Sequence, residues 1–206
     1  MEQSASWTVC LLPALWIIGS YLLGSIPTGL WMGLYLRGVD IRKEGSRNIG
    51  ATNTFRVLGK GFGLTALAGD VLKGWLPVTL AAQFMAAGWP WLPLLCGMAA
   101  VLGHTFSIYL LFRGGKGVAT GTGVYFALAP MPTLIAALVF AIAFGATRMV
   151  SVGSISAAAT LVVTVLALPG MELPVKVVTP LLAALVIWKH RDNIRRIIQG
   201  RENRIL

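Results

Sequence analysis

Seven apolar runs, separated by short polar segments, account for most of the chain: residues 7–36, 61–88, 91–112, 118–129, 133–147, 152–168 and 175–188. A helix needs roughly 20 apolar residues to cross a bilayer. The first run exceeds that, and Gly24-Ser25-Ile26-Pro27 is its expected irregular point, since proline breaks the helical ladder. Gly29 and Gly33 then form a small-xxx-small face for close packing. The second run carries Asp70 and Lys73, three apart and so on one helical face. They read equally as an ion pair tying the helix to its neighbours or as part of a site. The fourth run would extend only about 18 Å as a helix, stops at Pro130 and Pro132, and with 133–147 suggests a pair of short arms. The pattern predicts an all-α membrane protein. A single domain over residues 1–206 would form a seven-helix transmembrane bundle with two short half-length helices.

Composition agrees. Hydrophobic residues make up 56% of the 206 and charged residues 12%, against about 25% charged in a soluble domain. Cys10 and Cys96 each sit among apolar residues and suggest neither a disulfide framework nor a metal site. The first run is too long for a signal h-region and lacks a basic n-region, Glu2 being the one charge before Arg37. Fifteen of the 17 Lys and Arg fall in 37–60, 113–117, Arg148 and 189–206. The seven-helix reading puts all four segments on one side, which the positive-inside rule makes cytoplasmic, with the N-terminus outside and the C-terminus inside. The net charge of +10 then reads as orientation and attraction to anionic membrane lipid. Nucleic acid is not an expected partner, because no soluble basic domain exists to hold it.

Three polar segments on that face could carry chemistry. Residues 42–60 hold Ser46, Asn48, Thr52, Asn53 and Thr54 with Arg42, Lys43, Arg47, Arg56 and Lys60. Such a set offers several donors to a phosphate or carboxylate, or forms a basic loop resting on lipid head groups. The second segment, from Gly103-His104, ends in Gly114-Gly115-Lys116-Gly117 ahead of a short helix. Amides at a helix start, a lysine and glycines without Cβ bulk suit a phosphate, although the spacing is not that of a Walker A loop. The third, residues 188–202, places His190 and Asn193 three apart with Arg195 and Arg196 nearby. Ser151 and Ser154 lie beside Arg148 on the same side. No His-x4-Asp pair occurs, because Tyr109 stands five after His104, and there is no Gly-x-Ser-x-Gly elbow. A face rich in cations and poor in general bases suits two anionic groups and a reactant that arrives activated. A transporter for an organic phosphate is the rival, supported by broken helices and a cationic vestibule; a non-catalytic membrane scaffold is a third reading.

Residues 40–56, Gly103-His104 with Gly114–Thr120, and His190–Arg196 resemble the three signature motifs of the bacterial acyl-phosphate:glycerol-3-phosphate acyltransferases, the PlsY type. The likeness runs nearly full length and takes in residues 70–74 and the closing Gly200-Arg201-Glu202. It implies a multi-pass enzyme of the bacterial inner membrane with its active face cytoplasmic. Such an enzyme moves a fatty acyl group from acyl phosphate to the 1-hydroxyl of glycerol 3-phosphate, with no metal or other cofactor, and a monomer is compatible with it. By motif, Ser46, Arg56, Lys116, Ser151, His190 and Asn193 are implied to bind substrate and phosphate. Asn48 and Asn53 fall in the first motif, His104, Gly114, Gly115 and Gly117 in the second, and Arg196 in the third. Arg47 stands where the family usually has a small residue or glycine, and Ser107 where proline is common. The three stretches are expected to converge on one anion-gripping cavity at the inner leaflet.

Overall fold

The computed structural model describes residues 2–85 and 88–205, with backbone alone for 2–10 and 85. Ala86 and Ala87 at the end of the second apolar run, and the side chains of Glu2 and Cys10, lie outside the described residues. The described elements are helical: α1 Glu2–Ser25, α2 Thr28–Arg37, α3 Ala51–Leu58, α4 Lys60–Met85, α5 Leu92–Thr105, a 3-10 turn Ile108–Leu110, α6 Val118–Leu128, α7 Pro130–Thr147, α8 Val150–Ala167, α9 Leu173–Lys189 and α10 Arg191–Ile198. Among the described residues, three helical stretches are long and apolar enough to cross a membrane. Two bent pairs, α1 with α2 and α9 with α10, bring the spans to as many as five. The protein is a multi-pass membrane protein of helices.

The chain divides into two compact units, residues 1–127 and 128–206. In the first, the expected break is present: α1 and α2 meet at 49° around Ile26-Pro27. A break at membrane depth frees backbone carbonyls that lipid cannot satisfy. Here the Ser107 hydroxyl donates to Ser25 O at 2.6 Å, and Lys73 Nζ donates to Ile26 O at 2.7 Å. Ser107, one of the two departures from the family pattern, thus supplies a donor that proline would lack. Close packing holds the unit together where the sequence has glycine. A Cβ on Gly29 would run into Thr54 and Ile49 O, and one on Gly33 into Val39 O, so the Gly29 and Gly33 face does bring the chain close. Gly74 of α4 faces Thr120 O, and Gly123 of α6 faces Val71 O, which seats α6 directly on α4.

In the second unit α7 packs on α8, α8 on α9, and α10 turns off α9 by 56°. The expected pair of half-length helices is only half present. The α6 helix is short at 11 residues, but α7 has 18 and is long enough to span. Pro130 and Pro132 lie in its first turn, where amide N–H groups have no intrahelical acceptor anyway. The prolines therefore start α7 instead of shortening it. The third run also ends earlier as a helix than 91–112, at Thr105, and continues in the 3-10 turn.

Candidate active site

The first motif is folded by one side chain. Asn53, in α3 and 1% exposed, donates through Nδ2 to Ile41 O at 2.8 Å and Glu44 O at 3.2 Å, and its Oδ1 accepts the Ser46 backbone N–H at 2.7 Å. Its amide is thus committed to shaping the loop that presents Ser46. Asn48 works at the other end of the loop, where its Oδ1 accepts the Gly50 N–H at 2.9 Å just before α3. That is a local side-chain-to-backbone turn of the kind asparagine favours. Arg56 sits half-buried in the last turn of α3. Arg47 holds φ +58°, the left-handed region that suits glycine. The backbone itself explains why a glycine is at home at this second departure. None of residues 42–50 is helical; the α3 helix within the stretch escaped the sequence reading.

The second motif is pinned to the end of α5. Gly115 N–H donates to His104 O at 2.9 Å and Gly114 N–H to Thr105 O at 3.2 Å. Gly117, at φ +81°, leads into α6. Lys116 is half-buried between these anchored glycines. The first two motifs share packing. Leu110, in the turn of the second, lies against the buried cluster of Leu30, Ile41 and Ile49, the last two belonging to the first motif. Trp31 and Tyr109 meet nearby in a tilted pair, ring centroids 5.6 Å apart and planes at 48°. So the turn of the second motif packs against the loop of the first within one unit.

The third motif and Ser151 gather in the second unit, around a residue that sequence reasoning did not place in the site. Glu202 is buried. Its Oε1 accepts from the Ser151 hydroxyl at 2.8 Å and from Asn193 Nδ2, and its Oε2 accepts from Arg196 Nε at 2.7 Å. Burial pushes its pKa up, but the hydrogen bonds from Asn193, Ser151 and Arg196 outweigh that and hold it below the ordinary value. A signal was available: Glu202 and Asp192 are the two carboxylates in a tail with Lys189, Arg191, Arg195, Arg196, Arg201 and Arg204. His190 caps the junction of α9 and α10, almost fully buried, with Nδ1 2.8 Å from Val186 O. A carbonyl only accepts, so Nδ1 carries a proton, and a neutral ring presents Nε2 as an acceptor.

The match to a known family spans all three motifs. Residues 14–200 match the family model described as glycerol-3-phosphate acyltransferase. The chain belongs to the glycerol-3-phosphate acyltransferase family. A glycerol-3-phosphate acyltransferase of Geobacter metallireducens is 50% identical over 194 residues, covering 94% of this chain and 98% of the relative. One from Trichlorobacter lovleyi is 49% identical over 194 residues, covering 92% and 95%. Among solved structures, the integral membrane glycerol 3-phosphate acyltransferase PlsY in its glycerol 3-phosphate form superposes with TM-score 0.88 and 39% identity, covering 94% of this chain and 96% of that one. Its lysophosphatidic acid form gives TM-score 0.86 at 38% identity, covering 94% and 95%. This family membership makes the chain a PlsY-type membrane acyltransferase and leaves the scaffold reading without support.

Proposed function

We propose that this protein moves a fatty acyl group from acyl phosphate to the sn-1 hydroxyl of glycerol 3-phosphate, giving 1-acyl-glycerol 3-phosphate and inorganic phosphate as the first step of phospholipid synthesis. The observation that carries the reading is the full-length match to glycerol-3-phosphate acyltransferases, including a neighbour solved in its glycerol 3-phosphate form. The substrate-holding set is Ser46, Asn48, Arg56, His104, Gly114, Gly115, Lys116 and Gly117 in the first unit, with Asn53 shaping the Ser46 loop. Ser151, His190, Asn193 and Arg196 serve in the second. The protein sits in the bacterial inner membrane as seven spans, α4 and the short α6 adding to the five counted by length and apolarity, with the N-terminus out, the C-terminus in and the motifs on the cytoplasmic face.

The chemistry suits the residues. An acyl phosphate is a mixed anhydride, so its carbonyl carbon is electrophilic without a covalent enzyme intermediate. The sn-1 oxygen attacks that carbon and a new ester bond forms. The bond from the carbonyl carbon to the phosphate oxygen breaks, and phosphate leaves with the electron pair. Lys116 and Arg56 offset phosphate charge while the Ser46 hydroxyl orients its oxygens, and the Gly114 and Gly115 amides, spent on Thr105 O and His104 O, fix the loop that carries Lys116. The departing phosphate takes the hydroxyl proton, which relieves the enzyme of supplying a base. Three carboxylates near the motifs are already engaged elsewhere, and Glu44 and Asp192, within the first and third motifs, are exposed. Asp40 is held down to about 2, chiefly by the hydrogen bond from Arg42. Asp70 accepts from Lys73 and Thr28, and Glu202 from Ser151, Asn193 and Arg196.

Purified protein in detergent, given palmitoyl phosphate and glycerol 3-phosphate, is expected to release inorganic phosphate and form the ester, and Lys116→Ala to abolish both. Ester formation only from an acyl thioester would overturn the donor assignment. Binding of glycerol 3-phosphate without turnover of any donor would favour transport.

A further inference from the structure

We propose that Asp70 and His104 are positioning residues that set the backbone carrying Lys116. The inference rests on the acyltransferase reading above. Asp70 lies within α4, 2% exposed, at a depth where a charge is costly. Lys73 alone, at 2.7 Å from Oδ1, would neutralise it. Yet the same oxygen also accepts from the Thr28 hydroxyl at 3.2 Å and faces His104 Nδ1 at 3.9 Å. The carboxylate therefore lies between the start of α2, its own helix and the last turn of α5.

His104, itself 4% exposed, passes that arrangement to the glycine loop along two routes. Its backbone carbonyl accepts the Gly115 N–H at 2.9 Å. Its ring edge at Nε2 lies so close to Gly115 that a Cβ there would overlap it, and a Cβ on Gly114 would strike the carbonyls of His104 and Thr105. The two residues before Lys116 are thus moulded on His104. Gly117 after it is held at φ +81°, where a Cβ would meet Thr105 Oγ1 at 3.1 Å. A lysine on a flexible stem pays side-chain and loop ordering on binding an anion, and fixing its backbone beforehand removes part of that cost. The imidazole is turned with Nδ1 toward the Asp70 carboxylate, 3.9 Å away and beyond hydrogen-bond distance, so the two act on each other through charge and packing while Nε2 backs the loop. A pair that served only charge balance would have no reason to be linked to the loop in this way.

Two variant sets test this by inorganic phosphate release from palmitoyl phosphate and glycerol 3-phosphate. Wild-type turnover establishes the donor. If only an acyl thioester works, the donor reading fails and the variants are compared with that donor, so the two failures are distinguishable. Asp70→Asn alone leaves Lys73 buried without its counter-charge and can unfold, so the informative variant is Asp70→Asn/Lys73→Gln, whose neutral side-chain amide can still donate to Ile26 O as the Lys73 ammonium does. It is expected to unfold near the wild-type midpoint while KM for one of the anionic substrates rises about tenfold and kcat changes less than about threefold. Wild-type KM and kcat in that folded variant would overturn the proposal. The second set is the Gly115→Ala, His104→Ala cycle, which stands even if the first double variant does not fold. Because both changes act on one contact, the double variant is expected to lose no more activity than the worse single one. Losses that multiply would overturn the contact.

Discussion

Asn53 Oδ1 accepts the backbone N–H of Ser46 at 2.7 Å, across seven residues of chain. Both Nδ2 protons of the same amide go to carbonyls of the turn that precedes Ser46, Ile41 O and Glu44 O. Ser46 is therefore aimed by Asn53, and the two motif residues have different tasks.

Replacing Asn53 with Asp separates those tasks. The carboxylate still accepts from Ser46, but its second oxygen turns on two carbonyls, leaving buried acceptors unmatched at a cost of about 1–3 kcal/mol. Asn53→Asp is expected to lower kcat/KM by at least about a hundredfold, with a lower unfolding midpoint in detergent. Retained activity would mean that the loop does not depend on this amide.

Glu202 gives the acid sensitivity a sign. Its folded-state pKa lies below the ordinary 4.5, since the hydrogen bonds from Asn193, Ser151 and Arg196 outweigh the upward push of burial. A carboxylate depressed by folding adds stability above its unfolded pKa and loses it as pH falls through the folded value. Wild-type protein should lose stability on acidification below about pH 5, and Glu202→Gln should be less stable at neutral pH with a flatter acid limb. Thermal unfolding across pH reads both.

His190 distinguishes phosphate-assisted proton transfer from general-base catalysis. With Nδ1 donating to Val186 O, a base would act through Nε2. In that case kcat would fall as pH drops through the range where an imidazole takes up its proton. The expected profile is shallow there, and His190→Ala is expected to raise KM along with lowering kcat. A steep loss of kcat alone, in step with imidazole protonation, would assign the base to His190.

Arg47 carries backbone strain beside Ser46. A non-glycine residue at φ +58° costs on the order of 1 kcal/mol. Arg47→Gly is expected to raise the unfolding midpoint by roughly that amount of stability, since glycine adopts the conformation freely but adds unfolded-state entropy. A lowered midpoint would show that the arginine side chain repays its strain.

The helices were legible because hydrophobic runs in a membrane protein are long and the prolines are few. The break at Ile26-Pro27 followed from the length of the first run and its proline, and Asp70 with Lys73 on one face from their spacing. The third motif was visible as residue types, but its organising carboxylate was not. Glu202 reads as one more charge in a basic tail until the fold brings it to Ser151, 51 residues away. Asn53 was read as a ligand because an asparagine in a polar motif looks the same whether its amide faces substrate or backbone. The prolines misled for a related reason: at Pro130 the same residue type ends one helix and begins the next.

The bend between α1 and α2 also has a history in synthesis. The two carbonyls it frees, on Ser25 and Ile26, are bonded by Ser107 and Lys73, residues translated some 80 and 50 positions later. While the first span is leaving the ribosome neither of these two donors exists, so in the nascent chain the exposed carbonyl at Ser25 must be met by water or by the insertion machinery. The donors that the bend uses in the mature fold arrive only with α4 and the loop after α5.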